Sequence, residues 1–209
     1  MERKCISISF VGVYSQPTNI PTLDNDFCKN LFNVPSDTFY GVSPDGFVIT
    51  VNNKPFPLII IGPQRILFKA ASREMLFQYI YAVKKKLSEL GVNLSFNAYG
   101  VNYEYEWTEL EEYSDIWLWN HFVNPNLSTN NGYRVCNGIS LRLATNENAI
   151  MNIQVEQRAG IRNGIFASFN HHHNLQLQEF PNENELLEIY NTSQTYLDNE
   201  VISKIIENS

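Results

Sequence analysis

"GFVITVNNKPFPLIIIGPQRILFKAASREMLFQYIYAVKKKLSELG", residues 46 to 91, holds the architecture of the chain in miniature. Three apolar runs, Phe47 to Val51, Pro57 to Ile61 and Arg65 to Ala70, have the length and the β-branched and aromatic content of strands. Their joints, "NNKP" and "GPQ", are too short for a crossover, which predicts antiparallel hairpins. Ser72 then stands at a helix N-cap position and Gly91 at a helix stop. Between them Met75, Leu76, Tyr79, Ile80, Val83, Leu87 and Leu90 recur at the helical period. A strand meander followed by one amphipathic helix predicts an α+β fold.

The flanking sequence extends this pattern. Cys5 to Tyr14 alternates as a strand does, and "SQPTNIP" breaks it. "TLDNDFCKNLF" predicts a short helix with Leu23, Phe27 and Leu31 on one side, and Ser43 to Gly46, "SPDG", predicts a turn. Leu94 to Trp107 returns as a long strand. Beyond the polar, Asn-rich stretch Asn124 to Gly138, alternation resumes over Ile139 to Leu143, Ala149 to Val155 and Ile165 to Leu177. Asn182 with Glu185 reads as a capping box, opening a helix whose apolar face is Leu186, Tyr190, Leu197, Val201 and Ile205. The expected organisation is an antiparallel sheet built from two strand meanders, each followed by a long helix packed on one face. Residues 1–123 form the first half, 124–138 a polar linker and 139–209 the second half of what is expected to be one compact domain.

Bulk properties narrow the function. Hydrophobic residues are 44 % of the 209, charged residues only 18 % and aromatics 13 %, a globular composition rich in strand and interface residues. A net charge of −7 argues against a general nucleic-acid binder, which needs a basic footprint. Cys5, Cys28 and Cys136 are odd in number and lack CxxC spacing, which argues against a disulfide framework or a zinc ribbon and for a reducing cytoplasm. No apolar run reaches membrane-span length, and "MERKCISISFVG" alternates like a strand rather than reading as a signal peptide. Nucleotide-binding glycine motifs and the nucleophile elbow are absent.

The order of these pieces resembles that of a sporadically distributed prokaryotic protein family to which no activity is assigned. The family pattern is a strand meander, a helix, a strand ending near "GLRY-N", a second meander with a hydrophobic-Asp-hydrophobic line, and a closing helix. The matching pieces are "PDGFVITV", "GPQRILFKA", "YGVNYEYEW", "ISLRLATN", "GIFASFNHHH" and "NENELLEIYN". The chain departs from the pattern around Ser168 and Asn170, where an Asp is expected, and near Val101, where an Arg is expected. The resemblance implies no catalytic residues. It implies an accessory or mobile-island gene of the kind carried by defence systems.

Three groups of residues carry candidate chemistry. In "GIFASFNHHHNLQL", residues 164 to 177, strand alternation puts His171 and His173 on one face, a spacing that suits a divalent transition metal. No diagnostic third ligand accompanies them, and the simpler expectation is a strand end leaving the core with its histidines at the rim. "EYEWTELEEYSDIWLWNHF", Glu104 to Phe122, mixes carboxylates with aromatics. Trp107, Glu109, Glu111, Glu112, Tyr113, Trp117 and Trp119 are candidates for binding a partner protein, while the simpler expectation is that Trp117 and Trp119 pin this connection to the core. Lys84, Lys85 and Lys86 at a helix end, with Arg158 and Arg162 on an exposed turn, are the candidate anion-binding set. Together these features predict a non-enzymatic interaction protein, an accessory or adaptor subunit of a bacterial assembly, without a cofactor. Its expected partner is another protein or a second copy of itself, with neither nucleic acid nor membrane involved. A metal-dependent enzyme centred on His171 and His173 is the alternative, and a nucleic-acid accessory factor the third reading.

Overall fold

The computed structural model describes residues 1–123 and 136–207; the linker expected at 124–138 lies outside them as far as residue 135. The strands are β1 (Glu2–Tyr14), β2 (Thr38–Ser43), β3 (Gly46–Val51), β4 (Leu58–Ile61), β5 (Arg65–Ala70), β6 (Phe96–Thr108), β7 (Gly138–Asn146), β8 (Ala149–Gln157) and β9 (Ile165–His173). The α-helices are α1 (Asn25–Asn30), α2 (Arg73–Glu89), α3 (Ser114–Phe122) and α4 (Glu183–Tyr196), the last running into a π-helical segment, Leu197–Ile206. The nine described strands join one antiparallel sheet in the order β2-β3-β4-β5-β1-β6-β9-β8-β7. The fold is therefore α+β. No described helix is long and apolar enough to cross a membrane.

Two compact units make up the chain, and neither is a continuous stretch. One comprises Ser7–Asn102 and His172–Thr192; the other comprises Met1–Ile6, Tyr103–His171 and Ser193–Ser209.

In the first of these units the short joints do produce hairpins, with Tyr40 opposite Ile49, Ile49 opposite Ile59 and Ile59 opposite Phe68. Alternation sends Ile49, Ile59, Ile66 and Phe68 into the core. On the other face Val48, Ile60, Leu67 and Val11 fall in one half-buried cross-strand row. The Ser72 hydroxyl caps α2 by accepting from Met75 N–H at 3.3 Å, and Leu76, Tyr79, Ile80, Val83 and Leu87 form its buried stripe. Met75 and Leu90, expected in that stripe, are exposed because they sit in the first turn and at the C-cap. Asn182 and Glu185 close the capping box: Glu185 accepts from Asn182 N–H at 2.7 Å, and Asn182 accepts from Glu185 N–H at 3.1 Å.

The second unit gathers Tyr103, Tyr105 and Trp107 of β6, Met151, Ile153 and Val155 of β8, and Ile165, Ala167 and Phe169 of β9 into its core. The π-helical segment supplies Leu197, Val201, Ile202 and Ile206. Ile205, expected on the apolar face, is only half-buried. The wider π winding, in which Glu207 N–H donates to Ile202 O at 2.8 Å, turns Ile206 inward instead.

Candidate partner-binding cleft

The carboxylate-rich segment begins on β6, whose alternation buries Tyr103, Tyr105 and Trp107 and leaves Glu104 and Glu106 half-exposed. Beyond the strand, Glu109 adopts φ 58°, a left-handed conformation uncommon for a residue with a side chain. That turn delivers buried Leu110 and then buried Ser114, the first residue of α3. Ser114 fastens this segment to the turn at Arg158 to Gly164. Its N–H donates to Arg162 O at 3.0 Å, and its hydroxyl accepts from Gly164 N–H at 3.0 Å. The same hydroxyl lies 2.8 Å from Arg162 O and 2.7 Å from Gly164 O, either of which can take its single proton. Leu110 N–H adds a bond to Asn163 O at 3.1 Å. Gly164 suits this close approach, since a Cβ there would stand 2.9 Å from Ile161 Cγ2 and 3.1 Å from Trp107 O.

Between the two fastened segments lies a cleft of about 560 Å³, lined by Leu110, Glu111, Glu112, Tyr113, Ile116, Arg162 and Asn163. Arg162 lies over the Tyr113 ring, its guanidinium carbon 3.8 Å from the centroid, a cation–π pair that orders both side chains. Tyr113 is 46 % exposed and Ile116 39 %, so the cleft offers apolar surface to solvent. Glu111 and Glu112 line the same cleft, and Glu112 is steadied by Asn120, whose amide donates at 2.9 Å. Glu109 is exposed next to them in sequence. A wall that pairs an apolar patch with two carboxylates suits a cationic, partly apolar ligand.

The expected binding residues divide unequally. Glu111, Glu112, Tyr113 and Arg162 meet in the cleft, although the sequence placed Arg162 in a different group. Trp107 is a correction. Its side chain is fully buried and its indole N–H donates to Glu207 Oε1 at 3.2 Å, so it has no surface to give a partner. Trp117 stacks on His121 at 4.1 Å, and the His121 ring in turn lies 2.9 Å from Ile205 O, so this tryptophan pins α3 within its unit. Trp119 is half-buried on the same helix. Leu110 and Ile116 were missed because α3 was read as a connection. Leu110 precedes the helix and Ile116 lies in the unbroken apolar run Ile116 to Trp119, so no helical period marked either of them.

The anion-binding set is largely committed to the protein's own groups. Lys84 donates to Phe180 O at 2.6 Å, and Lys86 pairs with Asp24 at 2.5 Å. That lysine, with the Phe27 N–H that Asp24 accepts at the cap of α1, holds the Asp24 carboxyl below its ordinary range. Arg158 pairs with Glu106 at 2.8 Å. Lys85 is exposed. The lysines and the arginines belong to different units.

His171 and His173 are buried rather than at the rim, because β9 keeps its inward face to the end. The His171 ring nitrogens meet two hydroxyls, Ser193 Oγ at 2.9 Å from Nδ1 and Thr145 Oγ1 at 3.0 Å from Nε2. Ligation by His171 would require giving up one of them. His173 stacks on Tyr99 with centroids 4.7 Å apart and planes 13° from parallel. Burial, and then neighbouring His172, push its pKa down to about 4. Among the described residues no three His, Cys, Asp or Glu side chains gather to hold a metal. No family model and no curated protein matches this chain.

Proposed function

We propose that the protein is a non-enzymatic interaction protein, an accessory or adaptor subunit of a bacterial assembly, and that the cleft beside α3 receives a basic segment of its partner. The observation that carries this reading is the pairing of exposed Tyr113 and Ile116 with Glu111 and Glu112 in one cleft of about 560 Å³. Aromatic anchors beside opposite charge supply affinity and steering respectively. Arg162 orders Tyr113 as a pre-formed platform, which lowers the entropic cost of docking. In the same reading the strands divide into two meanders, each followed by a long helix, as in the family the sequence resembles, and the gene belongs to a mobile or defence-type operon expressed in the cytoplasm. The net charge of −7 favours a basic partner over nucleic acid.

The test is capture of the partner from the native host with the wild-type chain, Glu111→Lys/Glu112→Lys, and Tyr113→Ala/Ile116→Ala. Wild-type capture should weaken as salt rises. Each double variant should lose at least about tenfold in affinity while keeping its melting temperature, since the altered side chains are exposed or at the cleft wall. Capture undiminished by both variants would remove the cleft from the interface.

A further inference from the structure

We propose that β2 is a dimerisation edge, on which a second copy of this chain adds its own β2 in antiparallel register about a two-fold axis at Gly41. β2 is the first strand in the sheet order, so β3 alone of the described strands pairs with it. Its backbone groups can be assigned from the register. Asn52 N–H donates to Asp37 O at 2.8 Å, in the same register that sets Thr38 opposite Val51 and Phe39 opposite Thr50. Hydrogen-bonded pairs alternate along an antiparallel ladder, so Phe39, Gly41 and Ser43 bond inward to β3. Tyr40 and Val42 therefore turn both N–H and C=O toward the open edge.

Three features fit a second copy on that edge. First, the six residues Thr38–Ser43 include no charge and no proline, and those are the usual devices that keep identical edges apart. Second, Val42 is 85 % exposed and Phe39 52 % exposed, so apolar surface accompanies the free backbone groups. Third, the chain's own fold does not demand a glycine at position 41. A Cβ there would meet only the Phe39 ring, at 3.6 Å, and its φ is an ordinary one. A glycine within a strand often marks close approach by another backbone.

The two-fold register follows from these constraints. Tyr40 of one copy exchanges two backbone hydrogen bonds with Val42 of the other, and the symmetry repeats the pair, giving four bonds around facing glycines. The ladder stops after that pair at either end. The next residues would be Thr38 and Pro44, but Thr38 N–H already donates to Val34 O at 3.1 Å and proline has no N–H. The edge is thus complementary to itself over the same short span at which it ends, and a reversible dimer is expected.

Sedimentation over a wide concentration range tests this with wild type, Val42→Lys and Val42→Pro. Wild type should approach twice the 24.1 kDa chain mass as concentration rises. Val42→Lys sets like charges close together, and Val42→Pro deletes an edge N–H from each copy while leaving the β2–β3 ladder intact. Each should raise the dimer dissociation constant about tenfold or more with unchanged circular dichroism and melting. Gly41→Cys supplies a second readout. Facing residues of a non-hydrogen-bonded pair have Cα atoms about 4.5 Å apart, within disulfide range. This variant should cross-link under oxidation where wild type, with its own free Cys5, Cys28 and Cys136, does not. A wild-type chain that stays monomeric at every concentration overturns the proposal and leaves the edge to an extended segment of another protein. A dimer indifferent to both Val42 substitutions, with no Gly41→Cys cross-link, overturns it equally.

Discussion

His173 couples the protein's stability to acid. Its folded pKa is about 4 against an ordinary 6.5, with burial as the main cause and His172 as the second. Between those values the unfolded chain takes up a proton that the folded site refuses. Stability is therefore unaffected by this group above pH 6.5 and falls as pH drops toward 4, by up to about 1.4 kcal/mol per unit. His173→Phe keeps an aromatic ring beside Tyr99 and removes the proton site. Urea unfolding at pH 7.5 and pH 4.5 should show wild type losing on the order of 2 kcal/mol more than the variant. Equal losses would show that the acid dependence comes from elsewhere. The triple histidine was conspicuous in the sequence, but its burial was not. Alternation assigned the two histidines to one face and could not say how far along β9 that face stays covered.

The buried Ser114 hydroxyl and N–H join the start of α3 to the turn before β9, and the Leu110 N–H adds a bond to Asn163 O beside them. Ser114→Ala would leave the Gly164 N–H without its acceptor, at a cost of about 1–3 kcal/mol. Melting should show that loss, and capture of the proposed basic partner should weaken although no exposed cleft side chain has changed. Full stability in the variant would mean that the remaining backbone bonds, Leu110 to Asn163 and Ser114 to Arg162, hold the cleft alone. Elements with local signals were legible in the sequence: the Ser72 cap, the Asn182–Glu185 box and the β3–β5 hairpins each depend on residues only a few positions apart. Three others were not. β2, "TFYGVS", carries a glycine and no strict alternation. Helix α3 is short, and Ile116, Trp117, Leu118 and Trp119 form one unbroken apolar run without a helical period. The π winding after Tyr196 depends on i→i+5 bonding, which an α-helical period does not anticipate.

Composition divided the chain at its Asn-rich linker, whereas the two compact units each draw on both sides of it, and this difference governs what truncation will do. The unit containing β2 to β5 needs Phe180, whose ring packs on Phe68 at 6.0 Å and Phe96 at 5.2 Å. It also needs Tyr190, which packs on Phe77 at 5.3 Å and donates to Ser9 O at 3.0 Å. A fragment of residues 1–123 has neither. The other unit sets Tyr105 and Trp107 against Phe169, at 6.0 and 6.5 Å, and pairs Arg3 with Asp198. A fragment of residues 136–207 lacks Arg3, Tyr105 and Trp107. Loss of one large buried aromatic costs about 3–5 kcal/mol, while a whole domain is stable by only about 5–15 kcal/mol. Each fragment loses several such contacts together with the strands that bear them. Neither should show a cooperative urea transition alone, and mixing the two should recover strand circular dichroism. A fragment of residues 136–207 that unfolds cooperatively by itself would mean that β7, β8, β9 and the C-terminal helix bury enough surface among themselves, and that β6 aromatics are dispensable to their core.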